Sequence, residues 1–438
     1  MKQLTLLFLA TCAVASAQRV PLSLKQAVEI ALAPDGNTRV RLAALAIDQS
    51  KTRQAQARGA LLPNIDGAVS GQNFTRNLKA FGISFPSNIP GFSQPTIVGP
   101  ITNFDARLSA NMTVFDFSAW KRLDAAKTGV AAAQAEAESA RNAVAETVAR
   151  AYVAALRTGA ALQVAKANLT LAESLRKLAL DQKDAGTGTG IEVLRAEVQI
   201  ANERQRQTLL ENENRRAHLQ LARLLNLGLD KELDLTDSLV LPEANVPALE
   251  EALTAARENR KDLSAQALRM EISRRSYAAV KWERLPSIQA FGDYGAIGLD
   301  VESAVGTRAY GASLRIPIFD GGRRDARRAE AGILLKQDEL RTADLRKQVE
   351  LDVRLALDSV TASAQQVRVS EEGLQLAERE LAQAQRRYQG GVTSNIEVVD
   401  AQTRTERARD NRIMALFQYN QARIDLATAM GAIHRILQ

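Results

Sequence analysis

Three carboxylates beside two glycine-containing turns are the residues of this chain best placed to do chemistry. Glu192 follows Gly186-Thr187-Gly188-Thr189-Gly190, and Glu397 and Asp400 follow Gly390-Gly391-Val392-Thr393-Ser394. Glu397 and Asp400 are three apart, so on a helix they share a face. Acidic side chains in a first helical turn favour the helix N-terminus. Wherever such carboxylates are crowded together they instead raise one another's pKa and draw in cations. Other chemistry finds little support. The sequence holds no Gly-Lys-Ser or Gly-Lys-Thr phosphate loop, no His-Glu-x-x-His and no nucleophile beside a base. His218 and His434 fall in helical patterns and in no motif, and no Met or His cluster suggests an export duct for metal ions. No metal, cofactor or enzymatic activity is expected.

The elements that position these acids begin after an export signal. Lys2, the apolar run Leu4 to Ala10 and the small residues Ala15-Ser16-Ala17 predict a secretory signal peptide over 1–17. A second reading takes Leu9-Ala10-Thr11-Cys12 as a lipoprotein box with an acylated cysteine, although Thr11 stands where Gly, Ala or Ser is usual. Cleavage after Ala17 leaves a chain without cysteine, which excludes disulfides and thiol chemistry. Past the signal no apolar run approaches the roughly 20 residues of a spanning helix, so a membrane crossing would have to be a barrel. The net charge of +7 is spread over 57 basic and 50 acidic residues with no basic run rich in aromatics, which argues against nucleic acid as partner.

The rest of the chain reads twice. Leu62-Pro63-Asn64-Ile65 recurs as Leu285-Pro286-Ser287-Ile288, Val114-Phe115-Asp116 as Ile318-Phe319-Asp320, and the first glycine turn as the second. The first repeat spans 18–227 and the second 248–438, joined by a linker over 228–247 in which Leu233-Asp234-Leu235-Thr236 suggests a short strand. Each repeat orders helix, strand, loop, strand, long helix, turn and helix. Strands are expected near 64–75, 104–115, 287–296 and 308–319. The second is clearest: Phe104, Ala106, Leu108, Ala110, Met112 and Val114 alternate with Asp105, Arg107, Ser109, Asn111 and Thr113. Strands of this length suit a tilted crossing of a bilayer. Phe115, Phe117, Trp120, Trp282 and Phe319 gather at strand ends, where an interfacial aromatic belt would sit. Arg323, Arg324, Arg327 and Arg328 follow the last strand and suit either lipid headgroups or a solvated helix face. The loop over 76–102 carries Pro86, Pro90, Pro95 and Pro100 and reads as surface.

Residues 118–184 and 322–389 are poor in proline and rich in Ala, Leu, Gln, Arg and Glu, and each predicts a helix of about 100 Å. Leu162, Ala165, Leu169 and Ala172 form a packing stripe, partly matched by Val367, Leu374 and Ala377. Shorter helices follow over 191–226 and 396–431. Four strands are too few to close a barrel, so several chains must share one.

This order of elements, the paired strand ends and above all the run Arg387 to Gln402 resemble the TolC-like outer membrane efflux proteins. The likeness covers essentially the whole mature chain. It implies an α+β membrane protein built of a duplicated helix-strand-strand-helix-turn-helix unit. It further implies a homotrimer whose twelve-stranded β-barrel in the outer membrane continues as a twelve-helix α-barrel tunnel across the periplasm. Partners implied are outer membrane lipid, a periplasmic adaptor and an inner membrane transporter of an efflux pump or type I secretion system. Glu397, Asp400 and Glu192 match acidic positions that constrict the periplasmic tip. The turns with Gly186, Thr187, Gly188, Gly390, Gly391, Val392, Thr393 and Ser394 would meet the adaptor. Thr393 stands where some members carry a basic residue that locks the tip, so the closure network must differ. The competing class is a periplasmic coiled-coil adaptor or spacer without a pore, against which the duplication and the four matched strands stand.

Overall fold

The computed structural model describes residues 20–82, 97–241 and 246–433. The signal segment with Cys12, the loop residues Pro86, Pro90 and Pro95, and His434 lie outside the described residues. In chain order the elements are β1 (Val20–Leu22), α1 (Leu24–Leu32), α2 (Thr38–Gly59), β2 (Asn64–Asn77), β3 (Ile97–Phe115), α3 (Phe117–Asp184), α4 (Gly190–Leu224) and β4 (Leu233–Leu235). Then come α5 (Leu249–Asn259), α6 (Lys261–Lys281), β5 (Ser287–Gly298), β6 (Val305–Arg315), α7 (Arg323–Gln389) and α8 (Asn395–Ala429). The chain divides into two compact units, one of residues 47–133 and 266–342, the other of the remainder.

The first unit holds an antiparallel sheet in the order β2-β3-β5-β6, so the two repeats meet at the β3–β5 pairing. Register follows the pleat. Leu108 lies opposite Gly67 and Tyr294, while Ser109 lies opposite Asp66 and Asp293. One face therefore gathers apolar side chains, and they stand exposed: Ile65, Val69, Leu108, Met112, Val114, Tyr310 and Leu314. On the other face Arg107 is half-buried, pairing with Asp105 at 3.2 Å and with Asp293 across the strands. An exposed apolar face backed by a polar one is suited to contact with lipid on the apolar side.

Two strand boundaries differ from the sequence reading by more than three residues. β6 stops at Arg315 instead of 319, because Pro317 has no N–H to give the ladder, and Ile318 and Phe319 project free of it. β3 begins at Ile97, seven residues before the expected start, and pairs with β2 through a register shift between Phe74 and Arg76. The alternation is weak there, so periodicity did not show it. The helical stretch that opens the second repeat is interrupted: Arg260 takes an extended conformation between α5 and α6, its guanidinium held by Asp262 at 2.7 Å and Asp352 at 2.9 Å.

In the second unit the lower stretches of α3 and α7 pack with α4 and α8. The expected stripe is buried at Leu162, Ala165 and Ala172, and on α7 at Val367 and Ala377. Small residues here let helix backbones approach closely. Helix α1 starts at a capping box in which the Ser23 N–H donates to Gln26 Oε1 at 3.0 Å and the Gln26 N–H to Ser23 Oγ at 3.3 Å. The linker is anchored: β4 pairs in parallel with β1, and the buried Tyr152 hydroxyl donates toward the Leu22 carbonyl (2.8 Å) and Asp237 (2.9 Å). Parallel pairing of three-residue strands so distant in sequence carries no local signal, and β1 was not foreseen.

Candidate functional site

Both helix hairpins reverse by the same backbone device. At the end of α3, Gly186 has φ 76°, its N–H donates to the Lys183 carbonyl at 3.0 Å, and the Thr187 N–H donates to the Gln182 carbonyl at 2.9 Å. At the end of α7, Gly391 has φ 69°, its N–H reaches Tyr388 O at 3.0 Å, and the Val392 N–H reaches Arg387 O at 2.9 Å. This is the Schellman pattern, which satisfies the last helical carbonyls and needs a residue tolerant of positive φ. Gly186, Thr187, Gly390, Gly391, Val392 and Ser394 are exposed, whereas Gly188 and Thr393 are half-buried.

The turns deliver the acids to the first turns of α4 and α8. Glu192 accepts from the Thr189 N–H at 2.8 Å and the Thr189 hydroxyl at 3.1 Å. The Thr189 amide holds the Glu192 carboxyl below its ordinary pKa, with help from the Asn395 amide and Arg195. Glu397 is bound differently. Its carboxylate takes the Thr393 hydroxyl and lies 3.1 Å from the Arg387 guanidinium. Asp400 is exposed and has no ion pair among the described residues. Within one chain, then, Glu192 and the start of α8 are brought together, but Glu397 and Asp400 do not pair.

Beneath the turns Tyr388 and Asn395 are each 3% exposed. Burial raises the Tyr388 pKa, and its ring packs with Leu381, Ala384, Val398 and Ala401 against Leu171, Leu175 and Leu178. Gln182 Nε2 donates to the Tyr388 carbonyl at 3.3 Å, tying the end of α3 to that of α7.

Deeper in the same unit is a group the sequence reading missed. Glu203 on α4 and Glu406 on α8 are 3% and 8% exposed. Gln199 donates to Glu203 and Gln402 to Glu406, each at 3.1 Å, and Arg206 lies 4.0 Å from Glu406 while pairing with Asp410. Desolvation, then the Glu406 charge, lifts the Glu203 pKa to about 7; desolvation raises that of Glu406 as well. A signal existed: Val193, Ala196 and Ile200 are buried at helical spacing, and Glu203 is the next position of that stripe.

The predicted belt residues cluster where sheet gives way to helix. Phe117 and Trp282 meet edge to face with ring centroids 4.9 Å apart, and Phe115, Trp120 and Phe319 are exposed.

Comparison with known proteins settles the family. The outer membrane efflux protein model matches residues 30–227 and 252–432, most of the chain and in two segments. This chain belongs to the outer membrane efflux protein family. The efflux protein is 25% identical over 399 residues to the pyoverdine export outer membrane protein OpmQ of Pseudomonas aeruginosa, across 87% of this chain and 81% of that one. It is 24% identical over 412 residues to the toluene efflux pump outer membrane protein TtgF of Pseudomonas putida, across 92% and 82%. Its fold is similar to that of the Campylobacter jejuni CmeC outer membrane channel, with a TM-score of 0.80 at 18% identity over 94% of this chain and 86% of that one. The efflux protein is accordingly an outer membrane channel of an efflux system, working by passage and not by catalysis.

Proposed function

We propose that three copies of this chain close one twelve-stranded barrel and one helical tunnel, forming the passive exit duct of a tripartite pump. The sheet carries the reading: among the described residues β2 and β6 each have a single strand neighbour, and one face presents exposed apolar side chains. An open edge in lipid leaves backbone N–H and C=O groups unsatisfied, at several kcal/mol per group, whereas pairing β6 of one copy with β2 of the next removes every edge. Phe115, Phe117, Trp120, Trp282 and Phe319 then form the periplasmic belt of the barrel.

In this reading the glycine turns of both hairpins face the periplasmic adaptor, and Glu397, Asp400 and Glu192 of three copies ring the entrance. Exposed turn residues and a free Asp400 carboxylate support it. The repeats 18–227 and 248–438 would be quasi-equivalent wall elements, with 228–247 strapped across them. An energised inner membrane transporter supplies the work, and small-molecule export is favoured by the likeness to OpmQ and TtgF.

Single-channel conductance in a planar bilayer, with divalent cations added from the periplasmic side, tests the proposal. A cation-preferring pore blocked from that side alone supports duct and acidic tip together. Block that persists in a Glu397→Gln/Asp400→Asn double variant removes those residues from the constriction, and a folded trimer that never conducts, even with its tip turns altered, leaves a spacer.

A further inference from the structure

At the junction of sheet and helices lies a polar cavity of about 280 Å³, lined by Asp116, Ser118, Arg122, Glu283, Ser287, Gln289, Arg315, Arg324 and Arg327 among others. We infer that it is an anion-binding station on the channel wall, built to hold a compact carboxylate or phosphate group of a passing molecule. The inference rests on the channel reading above, which makes the polar face of the sheet the lumen side.

Placement comes from register. Ser287 lies opposite Arg315 and Gln289 opposite Ser313, on the face that also carries Arg107 and Asp293. The cavity therefore opens on the polar side of the sheet, away from the exposed apolar face. Of the four arginines that suit either lipid headgroups or a solvated helix face, Arg324 and Arg327 line this cavity.

Its charge is incompletely neutralised. Arg122 and Arg327 share one carboxylate, Glu283, at 2.5 and 2.7 Å. Arg324 pairs with Asp320 at 3.1 Å. Arg315 is exposed and has no ion pair among the described residues. Asp116 is spent on the start of α3, its Oδ1 accepting from the Ser118 N–H at 2.9 Å and the Ala119 N–H at 3.1 Å. Four guanidiniums thus have three carboxylates beside them, and two of these, Asp116 and Asp320, also accept from backbone N–H groups at helix starts. The shared Glu283 fixes two guanidiniums side by side with donors to spare, an arrangement suited to a bidentate oxyanion.

A second observation points to a ligand independently of charge. Ser118 is among the residues lining the same cavity, is 2% exposed, and its hydroxyl, enclosed by protein, has no hydrogen-bond partner. Buried hydroxyls are normally satisfied, and turning this one toward the arginine-lined cavity would give it an acceptor once an anion binds there.

The test uses the purified, assembled protein and citrate as probe. Titration calorimetry should show saturable citrate binding, weakened at least tenfold by Arg315→Gln and by Arg327→Gln and unchanged by Arg379→Gln, an exposed arginine of α7. Equal affinity in all four proteins overturns the site, as does an absence of binding in the wild type. Repeating the titration in phosphatidylglycerol and phosphatidylcholine nanodiscs separates the sources: affinity independent of the lipid supports a lumenal station, whereas loss of citrate binding in phosphatidylglycerol alone makes the occupant a headgroup and overturns it. Conductance recorded on the same wild-type preparation keeps the two readings apart. A conducting pore that binds no citrate sinks the site and leaves the channel standing.

Discussion

The Arg387 guanidinium lies 3.1 Å from the Glu397 carboxylate, across the turn that ends α7 and begins α8. Family resemblance had put a departure at Thr393, where some members carry a basic residue. The structure shows both roles around one acid: Thr393 donates its hydroxyl to Glu397, and the cation comes from Arg387, six residues upstream of Thr393. Both groups are half-exposed, so the pair contributes no more than about 1 kcal/mol. Its effect is on the charge offered to ions. Arg387→Gln should strengthen divalent block from the periplasmic side by up to about fivefold, the equivalent of that energy. Unaltered block in a bilayer recording would show that Glu397 does not face the ion path.

Glu203 makes the stability of the helical unit pH-dependent. Its carboxyl titrates near 7 in the folded chain against an ordinary value of 4.5, so the folded state holds a proton that the unfolded state has released between those limits. Stability therefore falls as pH rises from about 4.5 to about 7 and is level above, a loss on the order of 3 kcal/mol. Glu203→Gln keeps the hydrogen-bonding shape without the charge. Its melting temperature should exceed that of wild type at pH 8 and match it near pH 4.5. Parallel melting profiles for the two proteins would place the titration elsewhere.

Gly391→Ala and Gly186→Ala test the reversals. At φ 69° and 76° an alanine Cβ is strained by about 1–2 kcal/mol, although neither position has an atom within 4 Å to clash with. Each variant should lower thermal stability by that amount, and the two should add, since they close separate hairpins. A neutral effect would mean that the turn conformations differ from those described.

Depth across the sheet should grade the cost of charge. Leu108, 57% exposed near the middle of β3, and Leu314, 61% exposed one residue from the end of β6, lie on the same apolar face. Leu108→Arg should cost about 2–4 kcal/mol and Leu314→Arg about 0–1 kcal/mol, read as assembled protein recovered from the membrane. Equal recovery of the two would count against this register in the bilayer.

Tyr152→Phe tests the strap between the repeats. Its hydroxyl bridges the Leu22 carbonyl and Asp237, whose carboxylate also accepts from the Leu24 N–H at 2.7 Å. Removing it takes the hydroxyl from both acceptors, but the Leu22 carbonyl keeps the Thr236 N–H at 3.1 Å and Asp237 the Leu24 N–H, so the loss should be about 0.5–1.5 kcal/mol. Denaturant midpoints of the two proteins measure this directly.

The sequence alone determined whatever is local or periodic. Alternation from Phe104 to Val114 defined a two-faced strand, the proline-poor runs defined α3 and α7, and the duplicated glycine turns located both reversals to within a residue. These follow from backbone geometry and from side-chain period, which neighbouring residues fix between themselves. Tertiary structure decided what depends on residues far apart. The partnership of Arg387 with Glu397 is set by how α7 and α8 meet at the turn, and the burial of Glu203 against Glu406 by how α4 packs on α8. The parallel bridge of β1 to β4 and the convergence of Arg122, Arg315 and Arg327 on one cavity join segments up to about 200 residues apart. Solvation and charge pairing are properties of a three-dimensional neighbourhood, and no reading along the chain supplies that neighbourhood.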